Sequence, residues 1–300
     1  MREIAVITPN WNGGDLAVQS AQSVVKQSVS PKLFVIENGS ADGSGAAIAR
    51  ACPDVELIQN AKNLGYAAAI NQGLRVASDF EYTLLLNNDV VFRTEHDFVK
   101  PLEYLQRNPS VQAVCGRYEH PDGRFQGFYH GLPTPLDLAT YWGFGRHVPG
   151  AFSSPSMRRF LCADFDFSRP GELEQPGFTC VLCRTSALRH VGDLDEQFPI
   201  FFNDVDYCWR WRKRGWNFHY LPEWQIVHHQ STSTGKLGSK IYAEMAGSIS
   251  RFAAKHYSRR DAAIVRASLA AEAAYRRVRH HDFDSSIAGV WRGDLVFLRP

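Results

Sequence analysis

The sequence predicts an α/β fold in which a mostly parallel sheet is flanked by helices, with a helical extension at the C-terminal end. In the first hundred residues, short apolar runs alternate with helical segments at the spacing of βαβ units. Polar residues follow these apolar runs, at the strand ends where such sheets bind ligands. The last part of the chain is rich in Ala and Arg and has helical spacing.

Four strands and four helices alternate in the first part of the chain. The first helix has Asp15 near its start, and the third is entered through a glycine turn. The predicted strands are EIAVITP, KLFVIEN, VELIQN and YTLLLNND. The predicted helices lie within GGDLAVQSAQSVVKQS, SADGSGAAIARAC, NLGYAAAINQGLRVAS and EHDFVKPLEYLQRN.

The pattern loosens after Ser110. VQAVCGRY predicts a fifth strand, whereas residues 118–177 are rich in Gly, Pro and aromatic residues and show little periodicity. A segment of this length in a compact domain is usually functional or partly mobile. GFTCVLCRTSALRHVG then predicts a strand and a short helix, and FNDVDYCWRWRKRGW a helix that ends at Gly215. NFHYLP and WQIVHH follow as two strands, and the chain is then helical to about His280.

The bulk composition is that of an ordinary globular protein. The 300 residues are 44% hydrophobic and suit one large domain or two smaller ones. The 33 basic and 31 acidic side chains nearly balance, which argues against a nucleic-acid-binding protein. No apolar run approaches the roughly 20 residues of a spanning helix, and the first residues lack the layout of a signal peptide. We therefore expect a cytoplasmic protein.

The six cysteines are scattered along the chain. Cys180 and Cys183 form a C-x-x-C, but they lie in a predicted strand, where positions three apart point to opposite faces. No second pair completes a zinc site. We therefore expect free, mostly buried thiols, with a disulfide or a metal role as the alternative.

Two strand-to-helix loops carry residues suited to a nucleotide. Glu37 ends a strand, and its carboxylate could accept the imide N–H of uracil or thymine, which cytosine lacks and guanine shares. A cap-and-turn cluster, in which Ser40 or Asp42 starts the next helix, explains the same residues. Gly65 would let backbone N–H groups approach a phosphate at a helix N-terminus, although an ordinary helix start is an equal alternative.

The stretch LLLNNDVVF places Asn87, Asn88 and Asp89 at the end of a buried-looking strand. These residues can form a simple turn. Asp89 can also hold a divalent cation on a diphosphate, with His228 or His229 after a later strand as the second ligand. Mn²⁺ tolerates mixed nitrogen and oxygen ligands better than Mg²⁺ does. A histidine pair at the surface or in packing is the alternative.

The helix FNDVDYCWRWRKRGW carries Asp204 and Asp206 at its start. Acidic groups there complement the helix dipole. Asp204 can instead act as a general base on an acceptor hydroxyl beside a metal-bound diphosphate. The basic residues that follow could suggest nucleic acid, but the near-neutral overall charge favours a solvated helix face.

Taken in order, these segments resemble glycosyltransferase family 2, whose members have the Rossmann-like GT-A fold and transfer sugars from nucleotide-sugars. The likeness covers most of residues 4–234 and is to the bacterial rhamnosyltransferase-like branch. The matching segments are ITPNWN, IENGSADGS, NLGYAAAINQG, LLLNNDV and the stretch from Gly177 to Trp216, followed by VHHQSTS.

The resemblance implies a nucleotide-sugar site at the strand ends. Thr8 and Glu37 would line the base pocket, and Asn87 would lie near the ribose. Glu37 is one methylene longer than the Asp usual in the family, and Asn87 replaces the first carboxylate of the D-x-D motif. The implied donor-binding residues are Thr8, Pro9, Asn10, Glu37, Asn38, Asn63, Gly65, Asn71, Asn87, Asn88 and Asp89.

The resemblance also implies the metal, the base and the acceptor side. Asp89 and His228 would hold Mn²⁺ or Mg²⁺, and Asp204 falls at the position of the family's catalytic base. Direct displacement with inversion at the anomeric carbon would follow. The acceptor-side candidates are Asn203, which stands where the family usually has Glu, together with Asp206 and Trp209.

These features predict an inverting, metal-dependent transferase that moves a sugar, with rhamnose as one candidate, from a UDP- or dTDP-sugar to a glycan or lipid-linked acceptor. We expect residues 1–110 to bind the donor, residues 111–235 to bind the acceptor and catalyse transfer, and residues 236–300 to form a helical extension. The extension could pack as an outer helix, mediate a homodimer or contact the inner face of the cell membrane. One alternative is a nucleotidyltransferase, but such enzymes usually begin with a Gly-rich basic loop, and the segment TPNWNGGD lacks that character. The other alternative is a non-catalytic nucleotide- or glycan-binding module.

Overall fold

The computed structural model describes residues 3–230 and 239–279, and within these ranges nine strands form one mixed sheet. The strands are β1 (Ile4–Asn10), β2 (Lys32–Glu37), β3 (Glu56–Gln59), β4 (Tyr82–Leu86), β5 (Val90–Val91), β6 (Ala113–Glu119), β7 (Gly171–Leu173), β8 (Cys180–Arg184) and β9 (Phe218–His228). Their order is β3-β2-β1-β4-β8-β6-β9-β5, and β7 pairs with β9 outside that path.

Helices connect these strands and close the described part of the chain. They are α1 (Gly14–Val25), α2 (Ser44–Ala51), α3 (Tyr66–Val76), α4 (Val99–Arg107), α5 (Pro135–Tyr141), α6 (Pro155–Phe160), α7 (Thr185–Val191), α8 (Asn203–Arg212), α9 (Ser239–His256) and α10 (Arg259–Arg279). Two short 3-10 turns, Phe144–His147 and Ala151–Ser153, lie between α5 and α6.

The first four predicted strands form the parallel half of the sheet. Strands β3, β2, β1 and β4 are neighbours, and every pairing among them is parallel. Asn10 therefore pairs with Glu37, and Glu37 with Gln59, at one edge of the sheet. Beyond β4 the sheet turns antiparallel through β8, and β6 pairs in parallel with β9. The predicted fold class, including the helical C-terminal part, is confirmed.

The two strands predicted from NFHYLP and WQIVHH are one strand, β9. Leu221 pairs with Gly116 and Gln225 with Arg117, so residues 222–224 have no partner on β6. Pro222 has no backbone N–H to donate to a ladder. The interruption in the sequence pattern is therefore a bulge within a continuous strand.

The segment 118–177 contains more regular structure than its sequence pattern indicates. It holds α5, α6, both 3-10 turns and β7. Helix α5 begins with a capping box, in which Thr134 and Asp137 exchange hydrogen bonds, and Pro135 occupies its first position. These helices are only six or seven residues long, which is too short for a hydrophobic period to be visible in the sequence.

The predicted helical tail is present as α9 and α10 up to Arg279, and residues 231–238 and 280–300 lie outside the described residues. The two helices pack on α8 and α5 through a second hydrophobic core. Its members include Leu138, Phe202, Phe252 and Leu269, all of them buried. No helix in the described ranges is long and apolar enough to cross a membrane. The six cysteines are free, five of them buried and Cys162 half-buried, as predicted.

Gly116 provides a test of the bulge. A Cβ at this position would collide with the backbone carbonyl oxygen of Trp224, and neither strand can move away because both lie inside the sheet. We expect Gly116→Ala to lower the free energy of unfolding by about 1–3 kcal/mol, as other overpacked positions do. Urea denaturation measures this change.

Gly127→Ala is the matched control, because the nearest atom to its added Cβ would be Cε1 of Phe125 at 3.7 Å. That is an ordinary van der Waals contact, so stability should stay close to that of the unaltered protein. Equal midpoints for the two variants would contradict the proposed close approach of β6 and β9.

Candidate active site

The loops after β1 and β2 are tied together by a buried polar network around Glu37. The Glu37 carboxylate accepts hydrogen bonds from Nδ2 of Asn10 at 2.7 Å and from the backbone N–H of Ser40 at 2.8 Å. Asn10 Nδ2 also donates to Ser44, at the start of α2, and Asn10 Oδ1 accepts from Asn88. Parallel pairing of β1 with β2 is what places Asn10 beside Glu37. In this arrangement Glu37 organises the loops, and its base-pocket role stays a prediction.

The loop after β3 is fastened by Asn38. Its amide donates to Oδ1 of Asn63 and to the carbonyl of Gly65, and its Oδ1 accepts from the backbone N–H of Leu64. Gly65 has a φ of 87°, and a Cβ there would meet Pro199. Glycine is thus required at this position for both conformation and space. Its N–H donates to Asn63, so the predicted approach to a nucleotide stays a prediction.

The NND turn at the end of β4 leads directly into β5, whose pairing explains the second apolar run. Val90 pairs with His228 on β9, and the His229 N–H donates to the Asp89 carbonyl. This pairing brings Oδ1 of Asp89 to 3.4 Å from Nε2 of His228, and both side chains are buried. Two residues 139 positions apart in the sequence therefore form one pair at the strand end.

Gln126 fixes the orientation of the His228 ring. Its Nε2 donates to the backbone carbonyl of His228 at 2.7 Å, so its Oε1 is the atom that lies 2.9 Å from His228 Nδ1. Because an amide oxygen can only accept, Nδ1 must carry the proton. His228 Nε2 then presents its lone pair, or a second proton, toward Asp89.

Asp204 lies in the first turn of α8, where its carboxylate is held by two donors. The backbone N–H of Val205 and Nε2 of Gln175 both donate to it at 2.9 Å. Burial raises the pKa of Asp204, and these two hydrogen bonds oppose the rise. Phe202, the residue directly before α8, has a left-handed backbone conformation with φ 65°. The packing of its ring in the second core stabilises this conformation.

Asp204 and His228 line the same cavity, which has a volume of about 410 Å³. Burial raises the pKa of the Tyr66 hydroxyl in this cavity, and the carboxylates of Asp204 and Asp89 raise it further. The other polar lining residues include Asn87, Gln175 and Asn203, and the aromatic ones include Phe128, His130, Trp142, Phe160, Phe178 and Phe202.

Asn71, Asp206 and Trp209 are predicted site residues that do not line this cavity and make packing or structural contacts instead. Asn71 is buried, and its amide exchanges hydrogen bonds with the backbone of Leu194, so it fastens α3 to the loop after α7. Asp206 bonds with Lys255 and His256, and Trp209 packs against the α9 ring of Phe252. Residues two apart on a helix point about 200° away from each other. Asp204 therefore faces the cavity while Asp206 faces α9, and the assignment of Asp206 and Trp209 to the acceptor side stays a prediction.

Thr8 and Pro9 lie at the carboxyl end of β1. Thr8 is buried, and its hydroxyl has no hydrogen-bond partner within the described ranges. Pro9 is half-buried beside it. Their assignment to the base pocket stays a prediction.

Sequence reasoning missed Gln126, Gln175 and Tyr66. Both glutamines lie in the weakly patterned segment 118–177. Their hydrogen bonds to His228 and Asp204 join distant parts of the sequence, so no local pattern predicts them. Tyr66 directly follows the glycine turn of NLGYAAAINQG, so its position at a loop-to-helix step near the strand ends was the available signal.

The family model described as "Glycosyl transferase family 2" matches residues 5–191. The chain belongs to this family. It is 26% identical over 218 residues to the N-acetylglucosaminyl-diphospho-decaprenol L-rhamnosyltransferase of Mycobacterium tuberculosis, covering 68% of each chain. It is also 26% identical over 226 residues to the O-antigen chain rhamnosyltransferase RfbN of Salmonella typhimurium, covering 67% of this chain and 71% of RfbN. The predicted likeness to the rhamnosyltransferase-like branch is confirmed.

Solved glycosyltransferase structures share the fold of this member of the family. The mannosyltransferase PcManGT from Pyrobaculum calidifontis, in complex with GDP-Man and Mn²⁺, superposes with a TM-score of 0.56 at 14% identity, over 96% of this chain and 78% of that one. TarS 1–349 of S. aureus gives a TM-score of 0.52 at 12% identity, over 95% and 76% of the two chains. The GT-A fold is thereby confirmed.

The buried Asp206 network predicts a pH dependence of stability. Burial alone would raise the pKa of Asp206, but hydrogen bonds from His256 and Lys255 and the nearby Arg210 guanidinium hold it at about 2, below the ordinary value of 3.8. A lowered pKa stabilises the fold fully above pH 3.8, and this contribution is lost as the pH falls through 2. Asp206→Asn should cost about 2 kcal/mol at pH 7.

Denaturant titrations at several pH values measure this cost, which should shrink between pH 4 and pH 2. Asp122→Asn is the control, because its exposed carboxylate pairs with Arg124 on the surface and should leave stability unchanged. A cost for Asp206→Asn that is independent of pH would contradict the assigned pKa.

Proposed function

We propose that this protein is an inverting, metal-dependent glycosyltransferase acting on a UDP- or dTDP-sugar. The observation that carries the proposal is the shared cavity, whose lining includes both Asp204 and the His228 that is paired with Asp89. A base and a phosphate-neutralising site facing one space are what displacement at a sugar carbon requires. Membership of the family and the Mn²⁺ and GDP-Man in the PcManGT structure support it.

Asp89 and His228 would hold the proposed divalent cation as a pair; the described ranges contain no group of three or more His, Cys, Asp or Glu side chains placed to hold a metal ion. The Nδ1 proton of His228 is committed to Gln126, so Nε2 faces a carboxylate oxygen 3.4 Å away. Either a second proton on His228 or a cation near both atoms would remove the repulsion between these two groups, and the proposal assigns that role to the cation. Mn²⁺ and Mg²⁺ both accept a carboxylate, and Mn²⁺ accepts imidazole more readily. Such an ion would neutralise the charge that develops on the leaving diphosphate.

Asp204 is the proposed general base. Its raised pKa brings it closer to that of a base useful near neutral pH, and the α8 N-terminus still stabilises its ionised form. Gln175 and the Val205 N–H hold the carboxylate in one orientation, so Gln175 is a positioning residue. Attack by the deprotonated acceptor hydroxyl from the side opposite the diphosphate inverts the anomeric carbon.

The donor is proposed to bind along the ends of β1, β2 and β4. Thr8, Glu37 and Asn87 are the proposed contacts to base and ribose, with Asn63 and Gly65 on the loop that Asn38 fastens. The division into a donor half, residues 1–110, and a catalytic half, residues 111–235, belongs to the same proposal. Both halves contribute strands to one sheet, with β8 inserted beside β4.

Rhamnose is the proposed sugar, and a lipid-linked glycan the proposed acceptor. Both rest on the relatives, which include an L-rhamnosyltransferase whose name specifies a diphospho-decaprenol and an O-antigen chain rhamnosyltransferase. The aromatic cavity wall, which includes Trp142 and Phe160, suits the apolar face of a sugar ring. A cytoplasmic location at the inner face of the cell membrane is part of this proposal.

Asp204→Asn tests the base. Transfer should fall by roughly 10²–10⁴-fold, because an amide cannot accept the acceptor proton, while donor affinity should stay unchanged. The assay follows release of UDP or dTDP together with the new glycosidic bond, which separates transfer from the pyrophosphate release of a nucleotidyltransferase. Near-normal kcat would end the assignment.

Two further variants frame this experiment. Asp195→Asn removes a carboxylate that pairs with Lys255 outside the cavity and should transfer normally.

Gln175→Leu removes a hydrogen bond that lowers the pKa of Asp204. That pKa should rise, so the acidic limb of the pH profile of kcat should move to higher pH. A merely structural role for Gln175 would leave the limb where it is.

Gln126→Leu tests the metal site. With the amide gone, the His228 ring loses both its fixed orientation and its fixed tautomer, and Mn²⁺ affinity should fall roughly 10–100-fold, as when partners of other metal-bound histidines are removed. Electron paramagnetic resonance of free Mn²⁺ measures the affinity directly, without turnover.

Gln225→Leu is the matched control for this measurement. Gln225 lies on the same strand three residues before His228, and its side chain is exposed. It should bind Mn²⁺ like the unaltered protein. Equal affinities for all three proteins would refute the positioning role of Gln126, whereas no Mn²⁺ binding by the unaltered protein, with donor present, would refute the metal site itself.

A further inference from the structure

Exposed apolar side chains are concentrated beside the cavity. The described residues include eight large hydrophobic side chains with high exposure, and three of them, Phe144, Val148 and Phe152, fall within nine residues. A fourth, Leu136, lies in the neighbouring α5. Single exposed apolar residues are normal on a protein surface, but a group of them marks an interaction site. We call Phe144, Val148 and Phe152 the apolar ridge.

The ridge is held outward by a built frame. The Phe144 ring lies 5.2 Å from His147 and 6.0 Å from Tyr275 of α10. His147 Nε2 is 2.7 Å from the buried Glu272 carboxylate, which fastens the first 3-10 turn to α10. The ridge therefore cannot fold its apolar groups into the core without breaking these contacts.

The stretch of chain that carries the ridge contains basic but no acidic side chains. No Asp or Glu occurs between Asp137 and Asp164, and this stretch includes the exposed Arg146. The end of α10, which follows directly on Tyr275, adds exposed Arg277 and Arg279. Aromatic and aliphatic groups bordered by arginines are the composition of surfaces that enter the interface of an anionic bilayer.

The ridge is joined to the cavity wall through rings. Phe152 packs on Tyr141 at 6.1 Å, and Tyr141 packs on Trp142 at 4.6 Å and on Phe160 at 5.5 Å. Trp142 and Phe160 line the cavity that holds Asp204. Only the ring of Tyr141 thus separates Phe152 of the ridge from the side chains that line the proposed acceptor site.

We propose that the apolar ridge inserts into the headgroup region of an anionic bilayer, with Arg146 and the end of α10 on lipid phosphates. A second copy of the chain fits less well, because a two-fold interface sets the same patch against itself and would oppose arginine to arginine. This inference rests on the proposed function and adds to it the surface by which the protein would reach a lipid-linked acceptor in the membrane. It needs neither donor nor turnover, so its failure would leave the proposed chemistry untouched.

The test is flotation of the full chain with vesicles of phosphatidylcholine alone or with a third of phosphatidylglycerol. We expect binding to the anionic vesicles that weakens in high salt. Phe144→Ser with Phe152→Ser should lower the partition coefficient roughly tenfold or more. Val148 is 55% exposed, and Val148→Glu should lower the partition coefficient as well, by adding charge repulsion to the lost apolar contact.

Val25→Ser with Val76→Ser is the matched control. Both are 40% exposed, close to the 41% of Phe144 and the 40% of Phe152, but they lie on α1 and α3. This variant should bind vesicles normally, and thermal denaturation should show all variants folded. Binding unaffected by the ridge variants would overturn the proposal. A dimer in light scattering that the ridge variants dissociate, without vesicle binding, would instead assign the ridge to contact between copies.

Discussion

The site depends on the two-residue pairing of β5 with β9. This short ladder is the contact that sets Asp89 beside His228, since Val90 and His228 are partners in register. Without it the NND turn would be only the end of β4, and His228 the end of an edge strand. The apolar pair Val90–Val91 therefore has a specific purpose. It returns the chain to the sheet where the carboxylate of Asp89 meets the imidazole of His228.

Burial and neighbouring charges together shift the pKa values of the two acids at the start of α8 in opposite directions. Asp204 and Asp206 are two residues apart on α8, yet burial raises the pKa of Asp204 while Lys255, His256 and Arg210 lower that of Asp206 despite its burial. The first is held by neutral donors and can still take a proton; the second is paired with cations and is held ionised. One helix start thus supplies both a carboxylate toward the cavity, which is the proposed base, and a structural one toward α9.

The sequence predicted the parallel half of the fold because its strands and helices each carry a local period, and it placed Asp89, Asp204 and His228 through motif likeness. The contacts of Asp206 and Trp209 with α9 could not be read from the sequence, because adjacency to Asp204 says nothing about which helix face is covered. The partner of Asn71 could not be read for a similar reason, since Leu194 is 123 positions away. Gln126 and Gln175 could not be predicted, because both act through contacts made only once β9 and α8 are in place.

The aromatic segment between β6 and β8 unites these observations. It carries little periodicity because its helices are only six or seven residues long, and several of its side chains line the cavity. An apolar wall excludes water, and water exclusion is what raises the pKa of Asp204 and strengthens the electrostatic interactions of Asp89 and His228. The same segment continues outward into Phe144 and Phe152. A single stretch of chain can therefore set the strength of the proposed base and also border the surface from which an amphipathic acceptor would arrive.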